Sequence, residues 1–298
     1  MLDRYWSGTV ERISPESPVP VVDITQTECR MGGAANVAAN VVGLGALCSL
    51  FSIVGEDDSG RVLAGLISES GIDSRVTQSA DVRTIEKLRI VARNQQLLRV
   101  DFESRPTHEL LAQALEDVTS IMTNIDMLIL SDYGKGGLTH IEHMISAARE
   151  ASVPVVVDPK GGDYQRYRGA TLITPNLKEF EQTGGDTSSE EAMMESAHEI
   201  IDRYDFDSLL VTRSEKGMTL YRRDAEPIHS PATAREIFDV SGAGDTVAAV
   251  VGVALAAGLD ARATLGLANR AAGQVVAKFG TAIVDLDTID LEGLEEFE

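Results

Sequence analysis

The sequence predicts an α/β fold with a doubly wound, mostly parallel sheet and a small β-sheet lid. From about residue 31 onward, short apolar strand patterns alternate with longer helical patterns. This alternation is typical of a parallel sheet covered by helices on both faces. Residues 9–30 and 83–102 instead show strand character without intervening helices, which predicts that the lid is a small antiparallel sheet. A chain of 298 residues with 43% hydrophobic residues can form such a core.

The predicted elements follow the order that a doubly wound sheet requires. Helical patterns occupy residues 34–44, 60–69, 110–122, 141–151, 190–204, 246–257 and 261–278. Strand patterns occupy residues 48–54, 127–130, 153–157, 172–174 and 208–211, with a hairpin at 218–221 and 227–229. A β-branched run such as 153–157 is typical of a strand buried on both faces. The acidic residues 291–298 are predicted to form a frayed helix end.

The charge of the chain narrows the class of partner. The 47 acidic and 26 basic residues give a net charge of -21, which repels nucleic acid and anionic membranes. The longest nearly apolar stretch, residues 246–259, is too short to span a bilayer, and no signal peptide is visible. Cys29 and Cys48 fit no metal or disulfide spacing. We therefore expect a cytoplasmic protein with small-molecule partners, without nucleic acid or membrane.

The strongest motif is the run of small residues that precedes the apolar helix at 246–257. In Gly242-Ala243-Gly244-Asp245, backbone N–H groups can converge on an anion at the helix start. The helix dipole favours the charged form of Asp245, which can accept a proton from a substrate hydroxyl. A plain aspartate N-cap after a glycine turn is the alternative interpretation.

Two other phosphate-binding motifs are excluded. Val247 stands where a dinucleotide-binding fingerprint would have its third glycine. The nearest approach to a Walker A loop, residues 55–62, lacks the lysine and the Ser/Thr and carries three acids. The sequence thus argues against a P-loop kinase.

Three weaker motifs also follow predicted strands or precede helices. The first, residues 176–179, could order a hydrated Mg²⁺ through Asn and Glu three residues apart, or it could be a capping box. The second, residues 32–36, could approach a polyol through Gly-Gly and Asn, or it could be a flexible turn. The third, residues 212–217, could cradle a nucleotide, or it could be a hairpin turn.

In their order and spacing these motifs resemble the ribokinase / phosphofructokinase-B family of carbohydrate kinases, over essentially the whole chain. The resemblance implies Asp245 as the catalytic base, with Gly242, Ala243 and Gly244 as the anion hole. It implies ATP and Mg²⁺ as cofactors, and K⁺ as a further candidate. The implied nucleotide-binding residues are Asn176, Leu177, Lys178, Glu179, Thr212, Gly217 and Asn269. The implied sugar-binding residues are Asp3, Gly33 and Asn36, and the implied metal ligands are Glu179 for Mg²⁺ and Asp239 and Ser241 for a monovalent cation.

Within that family, residues 1–6, 12–16, 87–89, 93–96, 131–133, 158–161 and 174–177 resemble the bacterial kinases of D-glycero-β-D-manno-heptose 7-phosphate. The resemblance implies phosphorylation of the C1 hydroxyl to the 1,7-bisphosphate, on the route to ADP-heptose and lipopolysaccharide. A phosphorylated substrate needs cations at the far end of its site, and Lys87, Arg89, Arg93 and Arg99 supply them. Lys87, Arg89 and Arg93 share strand parity and could share a face. Solvated lid charge is the alternative, and a homodimer could form through the lid.

Two departures from the family pattern are expected to matter. The family begins with an apolar strand that delivers the sugar-binding Asp, whereas Asp3 is already the third residue here. We therefore expect a missing first strand and a mobile Asp3. We also expect one kinase domain over residues 1–298, without a nucleotidyltransferase domain. The alternatives are a kinase for another sugar or sugar phosphate, and a ligand-binding fragment with impaired turnover.

Overall fold

The computed structural model describes residues 1–93, 95–233 and 237–291. Asn94 of the predicted lid and nearly all of the predicted helix end at 291–298 lie outside these ranges. In chain order the elements are β1 (Leu2–Ile13), β2 (Pro20–Met31), α1 (Ala34–Gly43), β3 (Ser49–Gly55), α2 (Asp58–Glu69), β4 (Asp73–Ser79), β5 (Glu86–Ala92), β6 (Gln95–Phe102), α3 (His108–Ser120), β7 (Leu128–Ser131), α4 (Ile141–Glu150), β8 (Val155–Asp158), β9 (Leu172–Ile173), α5 (Leu177–Gln182), α6 (Glu190–Tyr204), β10 (Ser208–Thr212), β11 (Met218–Arg222), β12 (Ala225–Ser230), α7 (Ala243–Ala256) and α8 (Ala261–Val276).

Within the described ranges, the central strands form one large sheet in the order β12-β11-β10-β9-β8-β7 and a separate pair, β3-β4. Strands β7 to β10 run parallel to one another, and so do β3 and β4. Strands β11 and β12 continue the large sheet as an antiparallel hairpin. The predicted mostly parallel sheet is confirmed.

Strand β8 shows why helices cover both faces of the sheet. Val155 and Val157 pack into a core formed with α4 and α6, whereas Val156 packs into a second core formed with α7 and α8. All three valines are buried. Successive side chains on a strand point to opposite faces, so a run of three buried valines requires apolar layers on both sides. Each such burial stabilises the fold by roughly 1.5–3 kcal/mol.

The lid is a sheet in the order β2-β1-β5-β6. Strands β1 and β2 pair antiparallel, as do β5 and β6, but β1 and β5 pair in parallel. The prediction of an antiparallel lid was therefore wrong at its central pairing. The lid also begins at Leu2 and not near residue 9, because the side chains of Leu2 and Tyr5 are buried and fix this end of β1. Asp3 consequently lies within a strand paired on both sides, and the expectation of a mobile Asp3 was wrong.

Strand β4 was not predicted, because it is polar and mostly exposed and so lacks the apolar signal of a parallel strand. The start of helix α5 was indicated only by the motif at residues 176–179, because a helix of six residues is too short for a periodic pattern. Among the described residues, no helix has both the length and the hydropathy needed to cross a membrane.

Candidate active site

Helix α7 begins where the carboxyl ends of the central strands converge, as expected for a ligand site in an open α/β sheet. Gly242 is its N-cap, with φ 80°, a left-handed conformation that favours glycine. Asp245 lies in the first turn and is 4% exposed. The interpretation of Asp245 as an N-cap is therefore wrong: its carboxylate is turned toward neighbouring elements of the fold.

The Asp245 carboxylate receives one hydrogen bond on each oxygen. Asn36 Nδ2, in the first turn of α1, donates to Oδ2 at 2.8 Å, and the Tyr133 hydroxyl donates to Oδ1. Burial raises the pKa of Asp245 to about 6, although the bonds from Tyr133 and Asn36 oppose the rise. The carboxyl group can thus exchange a proton near neutral pH, which is a property of a general base.

The lid delivers the second carboxylate of the site. Asp3 of β1 is buried and forms an ion pair with Arg89 Nη1 of the neighbouring strand β5. Burial lowers the pKa of Arg89, but the Asp3 carboxylate and its hydrogen bond raise it by more. Gly33 caps α1 directly opposite Tyr133, and a side chain there would approach the Tyr133 ring to 3.2 Å. Asp3, Gly33 and Asn36 are therefore brought together on the Asp245 side of the lid.

Not all four predicted lid cations lie near Asp245 and Tyr133. Lys87 Nζ lies 5.6 Å from the centroid of the Tyr133 ring, and no ion pair of Lys87 occurs among the described residues. Burial lowers the pKa of Lys87, and the charges of Arg99 and Arg89 lower it further, so these three cations are neighbours. Arg99 also pairs with Asp101 at 2.8 Å. Arg93 lies beyond the opposite end of β5, in the hairpin turn, and donates to the Val10 carbonyl at 3.1 Å.

Residues 176–179 form a second cluster, at the start of α5. Asn176 is the N-cap, and its side chain and that of Glu179 make the reciprocal bonds of a capping box. The other Glu179 oxygen, Oε1, contacts Lys160 Nζ at 2.9 Å. Glu179 is buried, whereas Lys178, which precedes it in the sequence, is exposed. The capping-box interpretation is correct, but Glu179 also forms an ion pair with Lys160 through its other oxygen.

The remaining predicted nucleotide residues flank this cluster at the next strand ends. Thr212 ends β10 and forms a bridge with Asn176, and Leu177 directly after Asn176 begins α5. Gly217 turns the chain into β11, and its carbonyl accepts from the Arg213 amide at 2.7 Å. Asn269 of α8 is buried and donates to Ser230 Oγ at 2.8 Å.

Asp239 and Ser241 lie on the loop that leads into α7. Asp239 Oδ1 accepts from the Ser241 amide and Oδ2 accepts from the Gly280 amide, both at 2.9 Å. On the other side of this loop, Arg30 of β2 donates to the carbonyls of Phe279 and Thr281, the latter at 2.8 Å. The carboxylate thus joins the loop before α7 to residues 279–281, and Arg30 connects the same residues to the lid.

Sequence reasoning assigned no role to three residues that the fold places here: Tyr133, Asp158 and Lys160. Asp158 is the last residue of β8, and Tyr133 and Lys160 follow the ends of β7 and β8; this position was the available signal. Burial raises the pKa of Asp158 well above its usual range, and the charges of Asp245 and Glu179 raise it further. Asp158 therefore lies near both Asp245 of the first cluster and Glu179 of the second.

The sequence matches the pfkB family of carbohydrate kinases over residues 2–289. The chain belongs to this family. The predicted family and the predicted enzyme class, a phosphotransferase acting on a carbohydrate alcohol, are thereby confirmed.

Relatives of this pfkB kinase include the bifunctional protein HldE of Vibrio parahaemolyticus, 47% identical over 282 residues. The bifunctional protein HldE of Haemophilus influenzae is 49% identical over 292 residues. The alignments cover 95% and 98% of this chain but only 59% and 61% of those relatives. The chain therefore spans about three fifths of the length of the curated relatives it matches.

Solved structures confirm the ribokinase-like fold of the kinase. Escherichia coli phosphofructokinase-2 in complex with potassium has a TM-score of 0.82 at 18% identity, covering 99% of this chain and 94% of that one. Arabidopsis thaliana ribokinase complexed with ribose and ATP has a TM-score of 0.77 at 20% identity, covering 99% and 95%. At these identities the likeness concerns the fold alone.

Proposed function

We propose that the chain phosphorylates D-glycero-β-D-manno-heptose 7-phosphate at the C1 hydroxyl with ATP, giving the 1,7-bisphosphate used for ADP-heptose and lipopolysaccharide. The observation that carries the proposal is Asp245: a buried carboxylate beside a helix N-terminus, with a pKa of about 6. A kinase of this family needs such a base to remove the proton of the acceptor hydroxyl.

The start of α7 supplies the other half of the transfer site. The N–H groups of Gly242, Ala243 and Gly244 belong to the N-cap and first turn, where helical N–H groups have no intrahelical acceptor, although that of Ala243 donates to the Val240 carbonyl at 3.2 Å. Such groups and the dipole of a 14-residue helix stabilise negative charge that develops on the transferring phosphoryl group. We assign these three residues as the anion hole.

The lid cations support a substrate with its own phosphate. The charges of Arg89 and Arg99 act on Lys87, but Arg89 is paired with Asp3 and Arg99 with Asp101, so Lys87 is the one of the three that is most available to a substrate phosphate. Asp3, Gly33 and Asn36 would hold sugar hydroxyls near Asp245. Arg93 plays no part in this proposal, because it lies in the hairpin turn at the far end of β5.

The second cluster fits a nucleotide with Mg²⁺. Glu179 is a buried carboxylate, and carboxylate oxygens are the ligands that Mg²⁺ prefers. One of its oxygens already contacts a positive charge, that of Lys160. Glu179 would hold Mg²⁺ through water, and when bound the metal neutralises charge on the nucleotide phosphates. The nucleotide would lie along Asn176, Leu177, Lys178, Thr212, Gly217 and Asn269.

Two further assignments extend the proposal. Asp239 with Ser241 would bind a monovalent cation, since N–H donors already order both carboxylate oxygens, although the nearby carbonyls of Phe279 and Thr281 are taken by Arg30. A homodimer would form through the lid, on which Leu98 is 54% exposed. An enzyme that uses ATP also works where ATP is abundant, so we place it in the cytoplasm.

A kinase assay across a panel of sugars tests the proposal. The panel contains heptose 7-phosphate, fructose 6-phosphate, ribose 5-phosphate and the corresponding free sugars, each with Mg²⁺ and ATP. The proposal requires the highest kcat/KM for heptose 7-phosphate and a product phosphorylated at C1. A clear preference for another acceptor would support the alternative of a different sugar kinase. Binding of heptose 7-phosphate without turnover would support the ligand-binding alternative.

A further inference from the structure

Tyr133 donates a hydrogen bond to the proposed base, and it has no part in the function proposed for the chain. Its hydroxyl donates to Oδ1 of Asp245, while Asn36 donates to Oδ2. A carboxylate with one donor on each oxygen cannot rotate without losing both bonds. The pair therefore fixes the plane of the carboxylate and leaves the remaining lone pairs for a substrate hydroxyl.

The loop that carries Tyr133 is held firmly on both sides. The preceding residue, Asp132, is buried and accepts from Gly134 N at 2.7 Å and from the Tyr167 hydroxyl at 2.9 Å. It also pairs with Arg166 Nη1 at 3.2 Å, and its own amide donates to the Asp158 carbonyl at 2.9 Å. Because the Asp132 side chain and amide are both fixed, the Tyr133 ring is held in place between Asp245 and Lys87.

Tyr133 is also the neutral hydrogen-bond donor among several charged groups. The titratable and charged groups that influence Asp245 or are influenced by it are Tyr133 after β7, Asp3 of β1, Lys87 of β5, Asp158 at the end of β8 and the α-amino group of Met1. Asp3 and Asp158 disfavour a negative charge on Asp245, whereas Lys87 and the Tyr133 hydroxyl favour it. Burial and the Asp245 charge raise the pKa of Tyr133 well above its usual range, so it remains a donor at neutral pH.

We propose that Tyr133 is a positioning residue for the reaction: its hydroxyl orients the Asp245 carboxylate and favours the charged form that accepts the acceptor proton. The inference rests on the proposed role of Asp245 as the base. Hydrogen bonds to a charged form lower the pKa of an acid, and removing one raises it. The substitution Tyr133→Phe keeps the ring and its packing and removes only the donor.

The test is the pH profile of kcat/KM for Tyr133→Phe between pH 5 and 9. We expect the midpoint of the acidic limb to move up by about one pH unit or more, since a hydrogen bond to a charged group is worth roughly this amount. At pH 6 the variant would then be about five-fold slower than wild type, and above pH 8.5 it would recover. The matched control is Tyr164→Phe, which removes a buried hydroxyl that lacks a hydrogen-bond partner among the described residues. The control should keep the wild-type midpoint.

A second measurement needs no turnover. Without substrate, the melting temperature of Tyr133→Phe should fall below wild type more at pH 8, where Asp245 is charged, than at pH 5. An unmoved acidic limb, with or without a uniform loss of rate, would overturn the proposal, and so would an equal melting deficit at both pH values. Failure of the base assignment itself is seen separately, as retained activity in Asp245→Asn.

Discussion

Replacing Asp245 with Asn separates the proposed catalytic role of this carboxylate from its effect on stability. The side chains are nearly equal in shape, and an amide at this position can satisfy both neighbours. Its oxygen can accept from Asn36 Nδ2, and its NH₂ group can donate to the Tyr133 hydroxyl, which reverses one bond without breaking the pair. What the variant loses is the ability to take a proton, so kcat should fall by about 10²–10⁴-fold.

Asp245→Asn should lower activity but should not lower the stability of the fold. Burial raises the pKa of Asp245 from 3.8 to about 6, so folding disfavours the charged carboxylate. A rise of about two pH units corresponds to about 3 kcal/mol. Because the folded-state pKa lies above the unfolded one, this contribution favours the folded state below pH 3.8 and is lost as the pH rises through 6. At pH 8, Asp245→Asn should therefore be at least as stable as wild type, by up to about 3 kcal/mol.

Three measurements check this reasoning: thermal melts at pH 5 and 8, the kinase rate, and ATP binding. We expect a melting temperature that is unchanged or raised at pH 8, a smaller difference at pH 5, ATP binding close to wild type, and almost no turnover. Asp132→Asn is a matched control, because that buried carboxylate pairs with Arg166 and its neutralisation should lower stability. More than half the wild-type rate in Asp245→Asn would refute the base assignment. A large loss of stability at pH 8 would refute the argument from burial.

Three substitutions test the rest of the site. Glu179→Gln should raise the Mg²⁺ concentration for half-maximal rate, whereas Glu181→Gln, on the exposed side of the same short helix, should not; equal Mg²⁺ titrations would leave Glu179 with its capping role alone. Lys87→Ala should weaken heptose 7-phosphate binding by about 10- to 100-fold and ATP binding hardly at all, with Arg93→Ala as the control; equal losses for both ligands would indicate a folding defect. Arg89→Ala should lower stability by about 3 kcal/mol, because it leaves a buried carboxylate unpaired, and a thermal melt at neutral pH that matches wild type would contradict this.

The position of Asp245 could be predicted from the sequence, because a run of small residues before an apolar helix is a local signal. The two residues that donate hydrogen bonds to its carboxylate could not be predicted. Asn36 and Tyr133 lie 209 and 112 positions away along the chain, and they meet Asp245 only because α1 packs against α7 and β7 ends beside both. Local patterns carry no information about such pairs. The same limit applies to Lys160, whose contact with Glu179 depends on two neighbouring strand ends.

For the lid cations, too, the sequence predicted one part of the arrangement and not another. Strand parity correctly placed Lys87 and Arg89 on one face, beside aromatic rings of the site. Parity could not show that Asp3, in the parallel neighbour β1, neutralises Arg89, because that pairing was not predicted. Arg93 has the right parity, but β5 ends at Ala92 and Arg93 adopts φ 53° in the turn. A periodic argument holds only as far as the strand continues.

The last prediction concerns the central strands, which form a six-stranded sheet and a separate pair, β3 and β4. Helix α1 packs against both β3 and β7, yet within the described residues β3 pairs only with β4, and β7 only with β8. Val37 and Val41 of α1 contact Cys48, just before β3, and Ile129 of β7, so a single helix covers two strands whose facing edges are not joined. An unpaired edge in a buried parallel sheet leaves backbone N–H and C=O groups without ladder partners. One more apolar strand between β3 and β7 would supply those partners.

Adding about 20 residues upstream of Met1, with an apolar strand that ends just before it, should join the two parts of the sheet. Each fully buried Val or Leu in such a strand would stabilise the fold by roughly 1.5–3 kcal/mol, so the total should reach several kcal/mol. The strand would also hold β1 at the end that carries Asp3, which improves the placement of the sugar and raises kcat/KM. The experiment compares the 298-residue chain with two extended chains, one with the apolar strand and one with an equally long Gly/Ser segment. Only the apolar extension should raise both the melting temperature and kcat/KM. If the 298-residue chain melts as high and turns over as fast, the facing edges of β3 and β7 need no partner, and the placement of Asp3 in the sugar site must be reconsidered.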